Sequence, residues 1–503
     1  MSCRSGIPCR LRGAVSVALL AGMAGALLFG VDAGAQEVRV QGTTSLRYVE
    51  ARPFVRDSLL MDEVGGTGFL RQAADGGVVR CVVGDRFCRG MRPGTVVATV
   101  PATQDLEMSA WGFGEGIRVH AQARGRSALG GSGDFWPRAD DRFDLLSAYG
   151  ELNRERYRIR AGRQWATSGL GFYNFDGLAA LGRPWTGLSV EARLGRSLVR
   201  GLNEPRTGGA LAAIDDLAPE EPGIMLSAEA RFQPSPRLSL AALYHRDIRR
   251  DRAGLYSELA GGQGVFRWGS GSLEGSLEAD LATGQLNEGL LRVRPPPLGP
   301  IAAAVTARRY RPYFELWTIW GAFSPVGFDE ARVDLSRVVS SREVLVRARA
   351  SYRRYHDPGT ATSVGRFRHE GWGVGADAGW FPAGSWRIDG GYRLEVSYGS
   401  TRSEGHASVR RGLGDRGHLA LHGLAFQRMY EFRLEEGIVI GAGAEGSISL
   451  SERSRIAGGL TSYRHLDRGV QAGMDWTQLR GTVRVEWTVG AEPGRTGTQE
   501  VAR

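Results

Sequence analysis

The chain has 503 residues, 64 basic against 54 acidic, and a formal charge of +10, with every basic residue an arginine. Its 42% hydrophobic content is ordinary, and beyond residue 35 no apolar run is long or uninterrupted enough for a transmembrane helix, so a helical membrane bundle is excluded. The length is also too great for one ordinary soluble domain. At the start, Arg4, Arg10 and Arg12 precede an apolar stretch at residues 14–29 and the small triplet Ala33-Gly34-Ala35. A charged n-region, an apolar h-region and an A-x-A site describe a cleavable secretory signal over residues 1–35. A retained anchor is the alternative, because the run is nearly long enough to span.

Strand-length segments with alternating side chains follow. In residues 37–49, Val38, Val40, Thr44, Leu46 and Tyr48 share one face, and Arg39, Gln41, Thr43, Ser45 and Arg47 the other. Successive residues of a strand point opposite ways, so each such ribbon has one greasy and one ionic face. Residues 51–101 read as a long, irregular, surface-exposed first loop. Cys81 and Cys88 lie inside it, and a disulfide is expected rather than a metal site, because no His or acidic cluster accompanies them. Short turns then recur at 153–156, 184–187, 233–236, 382–385, 414–417 and 451–454, with longer loops such as 201–222 and 354–364 between them. Residues 284–300, with Pro295, Pro296 and Pro297, read as a loop folded into a lumen. In the segment 344–353, Val344, Val346, Ala348, Ala350 and Tyr352 are assigned to lipid, and Arg347, Arg349, Ser351 and Arg353 to the lumen.

The clearest alternation is at 386–398, where Trp386, Ile388, Tyr392, Leu394, Val396 and Tyr398 oppose Arg387, Asp389, Arg393 and Glu395. Aromatic residues at both ends of a strand of this length suit the two interfaces of an outer membrane. The 73 glycines suit tight turns and crowded barrel walls. The fold expected is all-β, a transmembrane antiparallel up-and-down β-barrel of about 18 strands, within a range of about 16–22. It occupies residues 36–490 and leaves 491–503 as a polar tail.

Residues 149–164, ending in Gly162-Arg163-Gln164, followed by 173–178 with Asp176-Gly177, resemble bacterial outer-membrane porins. Those show a strand, a tight turn, a return strand ending in Gly-Arg-Gln, and an Asp-Gly at the head of the next strand. The resemblance covers about thirty residues and implies a passive β-barrel channel with Arg163 near the pore wall. The chain departs from the porin pattern at its end, where the last alternating strand closes at Trp487 and a polar tail follows instead of a terminal aromatic residue.

The positions opposite the apolar ones collect Arg39, Arg47, Arg118, Arg124, Arg158, Arg160, Arg193, Arg231, Arg347, Arg349, Arg353, Arg393, Arg480 and Arg484 as candidate pore-lining residues. Glu191, Glu229, Asp389, Glu395 and Glu486 are the acids read on the same faces. Fixed positive charge in a narrow tube concentrates anions, and arginine fits carboxylate, phosphate and sulfate bidentately. The expected function is therefore a porin-like channel for passive diffusion of small hydrophilic, preferentially anionic solutes. The alternative is a structural or surface-binding barrel with no open pore, its arginines paired with acids across strands. Two Gly-x-Gly-x-x-Gly matches, at 412–417 and 441–446, open no helix and are chance. No catalytic residue, metal or cofactor is expected. The expected location is the outer membrane of a Gram-negative-type bacterium, with outer-membrane lipid and small solutes as partners, no nucleic acid, and a homo-oligomer left open.

Overall fold

A ribbon with one apolar and one ionic face needs a second surface for each, and in a bilayer its backbone groups must also find partners within the protein. Closing the sheet on itself meets both needs. The computed structural model describes residues 37–490 apart from 52–53, 67–69, 74–77, 83, 94, 130–142, 199–222, 250–253, 312–326, 340–342, 357–367, 383, 399–400, 430–436 and 468–475. Residues 1–36 and the tail at 491–503, and with them the expected signal, lie outside the described residues. The main sheet has 23 antiparallel strands. Two of them, Val97–Thr99 and Pro101–Trp111, are one strand interrupted at Val100, so the barrel has 22. Neighbours follow chain order around the ring. The first strand, Glu37–Ala51, closes it by pairing with Trp476–Gly490 on one side and Pro101–Trp111 on the other.

The count stands at the top of the expected range, and part of the difference lies at residues 284–300. They form no lumenal loop: Gln285–Arg294 and Ile301–Tyr310 are wall strands, with Val293 opposite Val305. The three prolines make the turn between them, a position where a missing N–H leaves no ladder bond unmade. Short turns of this kind collect at one end, with Glu37 and Gly490, and the longer connections collect at the other. Outer-membrane barrels show the same asymmetry.

The first loop is not irregular. It holds a separate five-stranded sheet built from Phe54–Leu60, Val64–Gly65, Leu70–Ala73, Val78–Cys81 and Phe87–Pro93. Val64, Ala73, Val79, Cys81 and Cys88 form its buried core. Cys81 and Cys88 stand directly opposite in register and are joined by a disulfide with Cα atoms 4.2 Å apart.

One hairpin leaves the wall. The strand Tyr157–Ser168 stops pairing with Phe143–Asn153 at Arg163, and Gly171–Trp185 stops pairing with Leu188–Ser197 at Phe175. Beyond those points residues 164–174 pair in register only with each other, apart from one bond from the Leu198 N–H to the Asn174 carbonyl. They bend inward over the inner face of the next strands. Leu170 packs on Leu243 and Leu259, Phe175 on Met225, and the Tyr173 ring stacks on His245 with centroids 3.7 Å apart. Gly162, at φ +128°, and Gly177 form the crease. A Cβ on either would strike the neighbouring strand's backbone, at the Ala148 or Leu194 carbonyl, so only glycine lets the strands approach there.

Candidate functional site

The site is the inner face. On most wall strands the large exposed apolar residues share one parity, as do Val333, Leu335, Val346, Tyr352, Trp372 and Val374 on three successive strands, with exceptions near the turns such as Val338. Most of the ion pairs carry the other parity; Arg163–Asp176 and Arg309–Asp329 are exceptions. All fourteen arginines named from the sequence have the inner parity of their strands, and so do the five acids.

Most of those arginines are held by carboxylates. Arg160 meets Glu151 at 2.7 Å, Arg193 meets Glu191 at 2.8 Å and Glu229 at 3.8 Å, Arg231 meets Glu229 at 2.7 Å, and Arg158 reaches Glu191 at 3.9 Å. Farther round the ring Arg349 meets Asp334 at 2.6 Å. Arg353 bridges Glu330 at 2.6 Å and Glu395 at 2.5 Å, and Arg393 lies 3.4 Å from Glu395. Arg39, Arg118 and Arg347 make no ion pair with a described residue, although Arg347 stands across the ladder from Asp377.

The sequence reading missed many of these acids, Glu151, Glu330 and Asp334 among them. Their signal was the same alternation: in Phe328–Val339, Glu330, Arg332 and Asp334 fall on one face, between Ala331, Val333 and Leu335 on the other. This side of the lumen is a compensated ladder in which Glu191, Glu229, Glu330, Asp334 and Glu395 are each shared by two or more guanidiniums.

The opposite side is different. The strands from Gly417–Met429 through Ile117–Ala128, by way of the closure, enclose a lumenal recess of about 710 Å³. Arg47, Arg124, Arg480 and Arg484 of the expected set line it, with Arg126, Arg455, His418 and His422. Asp105 and Glu445 are the acids of its lining. Arg124 holds Asp105 at 2.5 Å and Arg126 pairs with Asp144. Arg484 meets Glu486 at 2.9 Å, whereas Arg455 donates to Ser447 Oγ at 2.6 Å and Arg480 to Gln478 Oε1 at 2.8 Å. The last two guanidiniums therefore face the recess with neutral partners and keep their charge uncancelled nearby.

The hairpin at 164–175 thickens the wall on the side facing this recess. Its inner parity is spent on packing, so Trp165 and Phe172, with ring centroids 5.8 Å apart, lie on the face turned away from the wall. Arg163 is not on the inner face. It has the parity of the exposed Tyr157 and Ile159, and at the crease it holds Asp176 through two hydrogen bonds of 2.8 Å. Asp176-Gly177 likewise falls in the middle of its strand rather than at its head. Among the described residues no group of three His, Cys, Asp or Glu side chains could hold a metal ion.

No protein-family model matches the chain, and no curated protein matches it. Solved porins align along most of its length. A BenF-like porin from Pseudomonas fluorescens Pf-5 is 8% identical over 91% of this chain and 99% of its own, with a TM-score of 0.42. OccAB1 of Acinetobacter baumannii is 6% identical over 92% and 99%, with a TM-score of 0.39. OpdK of Pseudomonas aeruginosa, solved with vanillate, is 9% identical over 90% and 99%, with a TM-score of 0.37. At such values they serve as a likeness only, and the ring closure carries the fold class. The chain is a closed, antiparallel, 22-stranded β-barrel that is porin-like in form.

Proposed function

We propose that the barrel is a passive channel for small hydrophilic solutes, with a preference for anions. The observation that carries this reading is the recess of about 710 Å³ whose lining sets six arginines against two acids. Fixed charge on a pore wall acts on permeant ions through the local potential, so the recess attracts anions while the compensated ladder opposite contributes little net field. The preference should therefore be moderate and confined to one side of the lumen. Planar-bilayer recording of the purified barrel tests it. Frequent open steps and an anion-signed reversal potential in a salt gradient are expected; cation selectivity would refute the charge assignment.

A second reading is a surface-binding barrel without an open pore. The five-stranded first-loop sheet favours it, because a disulfide and a core of its own hold that sheet as a rigid module of the loop. Correctly folded protein that never conducts would support this reading over the channel.

A further inference from the structure

The outer surface is hollowed where a smooth lipid-facing wall would suffice. Between the strands Leu238–Arg249 and Phe328–Val339 runs an apolar groove of about 910 Å³ with Gly262, Gly275 and Gly289 in its lining. The backbone does not demand these glycines. None has a positive φ, and a Cβ on Gly262, Gly275 or Gly289 would come no closer than 3.8, 3.6 or 3.4 Å to its neighbours, which is ordinary contact. Side chains would fit there and fill the groove. Leu277 and Leu291 line it too and stay 60% and 49% exposed, so hydrocarbon is the medium this trough suits.

At the long-loop end the groove reaches Arg309. Arg309 stands in register between Gly289 on one side and Asp329 on the other, so on one flank the neighbouring strand offers no side chain. Asp329 lies 3.8 Å from Arg309 but only 2.8 Å from His356 Nε2. The guanidinium is thus weakly compensated, and its side chain is 58% exposed at the edge of the apolar belt. A charge in that position favours an anionic headgroup, and a guanidinium offers phosphate paired N–H donors. A cationic head above an apolar trough complements an amphiphile with a phosphate and a chain.

We propose that this groove binds one phosphorylated lipid of the outer leaflet, its acyl chain over Gly262, Gly275 and Gly289 and its phosphate against Arg309 above Gly289. The site lies on the outer face and does not depend on the lumen conducting. Native mass spectrometry of the intact barrel after detergent exchange, with lipid A as the probe, tests it. Wild-type protein should retain one lipid A. Arg309→Gln and the use of dephosphorylated lipid A should each lower retention about tenfold or more, the effect of losing charge-assisted hydrogen bonds.

Gly289→Leu should lower retention of both lipids by filling the trough, and Gly262→Val reads the same filling if Gly289→Leu fails to assemble. Arg337→Gln, on the same outer face at the short-turn end, should match the wild type, and inorganic phosphate should not displace the lipid. Equal retention by wild type, Arg309→Gln and the groove-filling variants would overturn the proposal. So would displacement by inorganic phosphate, or a barrel dimer that leaves the groove without lipid.

Discussion

Val346 and Ala350 share the lipid-facing parity of the strand Val344–Tyr355, yet they sit at different depths. Val346 is the third residue from the short-turn end and Ala350 the seventh. At about 3.3 Å per residue and a tilt of about 40°, Ala350 lies roughly 15 Å above that end, near the middle of the apolar belt. Arginine at Ala350 should therefore cost about 2–4 kcal/mol, and Val346→Arg only about 0–1 kcal/mol. Denaturant unfolding from lipid vesicles measures both, and equal costs would contradict this placement of the membrane. On the inner face Arg349→Ser should leave the barrel folded, because Asp334 keeps Arg332 at 3.1 Å. The alternation of these side chains was legible in the sequence. Their depth was not, since it depends on where the turns of neighbouring strands lie.

The hairpin at 164–175 is the element the sequence concealed. Trp165 and Phe172 alternate like interfacial aromatics, and nothing local marks the rows at Arg163 and Phe175 where the neighbouring strands let go. What holds the hairpin inward is packing across three strands, a non-local contact that periodicity does not encode. Leu170 is 7% exposed between Leu243 and Leu259, so Leu170→Ala should weaken the attachment by about 2–5 kcal/mol. With its tip loosened, the hairpin should swing within the lumen, and single-channel records should become noisier or show a larger open state. Unchanged conductance and noise from a folded Leu170→Ala barrel would remove this hairpin as a constriction. The first-loop sheet escaped notice for a different reason. Its strands run from two to seven residues, too short for alternation to register, and only Cys81 and Cys88 signalled order there.

For the whole molecule the charge balance depends on closure. The parity of Arg47, Arg480 and Arg484 could be read from each strand, but their meeting could not. The first and last strands come together only when the ring closes, setting Ser45 opposite Arg484 and Val49 opposite Arg480. Closure and neighbouring strands also supply the acids that cancel most other arginines, so counting arginines along the sequence overstates the lumen's field. Net charge in the recess, rather than arginine number, should then govern selectivity. Arg480→Gln combined with Arg484→Gln removes two positive charges there and should move the reversal potential measurably toward zero in dilute salt. Arg349→Gln combined with Asp334→Asn removes a matched pair from the ladder and should leave it nearly unchanged. The first effect should fade as salt rises, because the Debye length falls from about 10 Å at 0.1 M to about 3 Å at 1 M. A shift of equal size from both double variants would mean that permeating ions sense individual side chains rather than the recess's summed potential, and a shift that persists at 1 M would point to direct contact between ion and guanidinium.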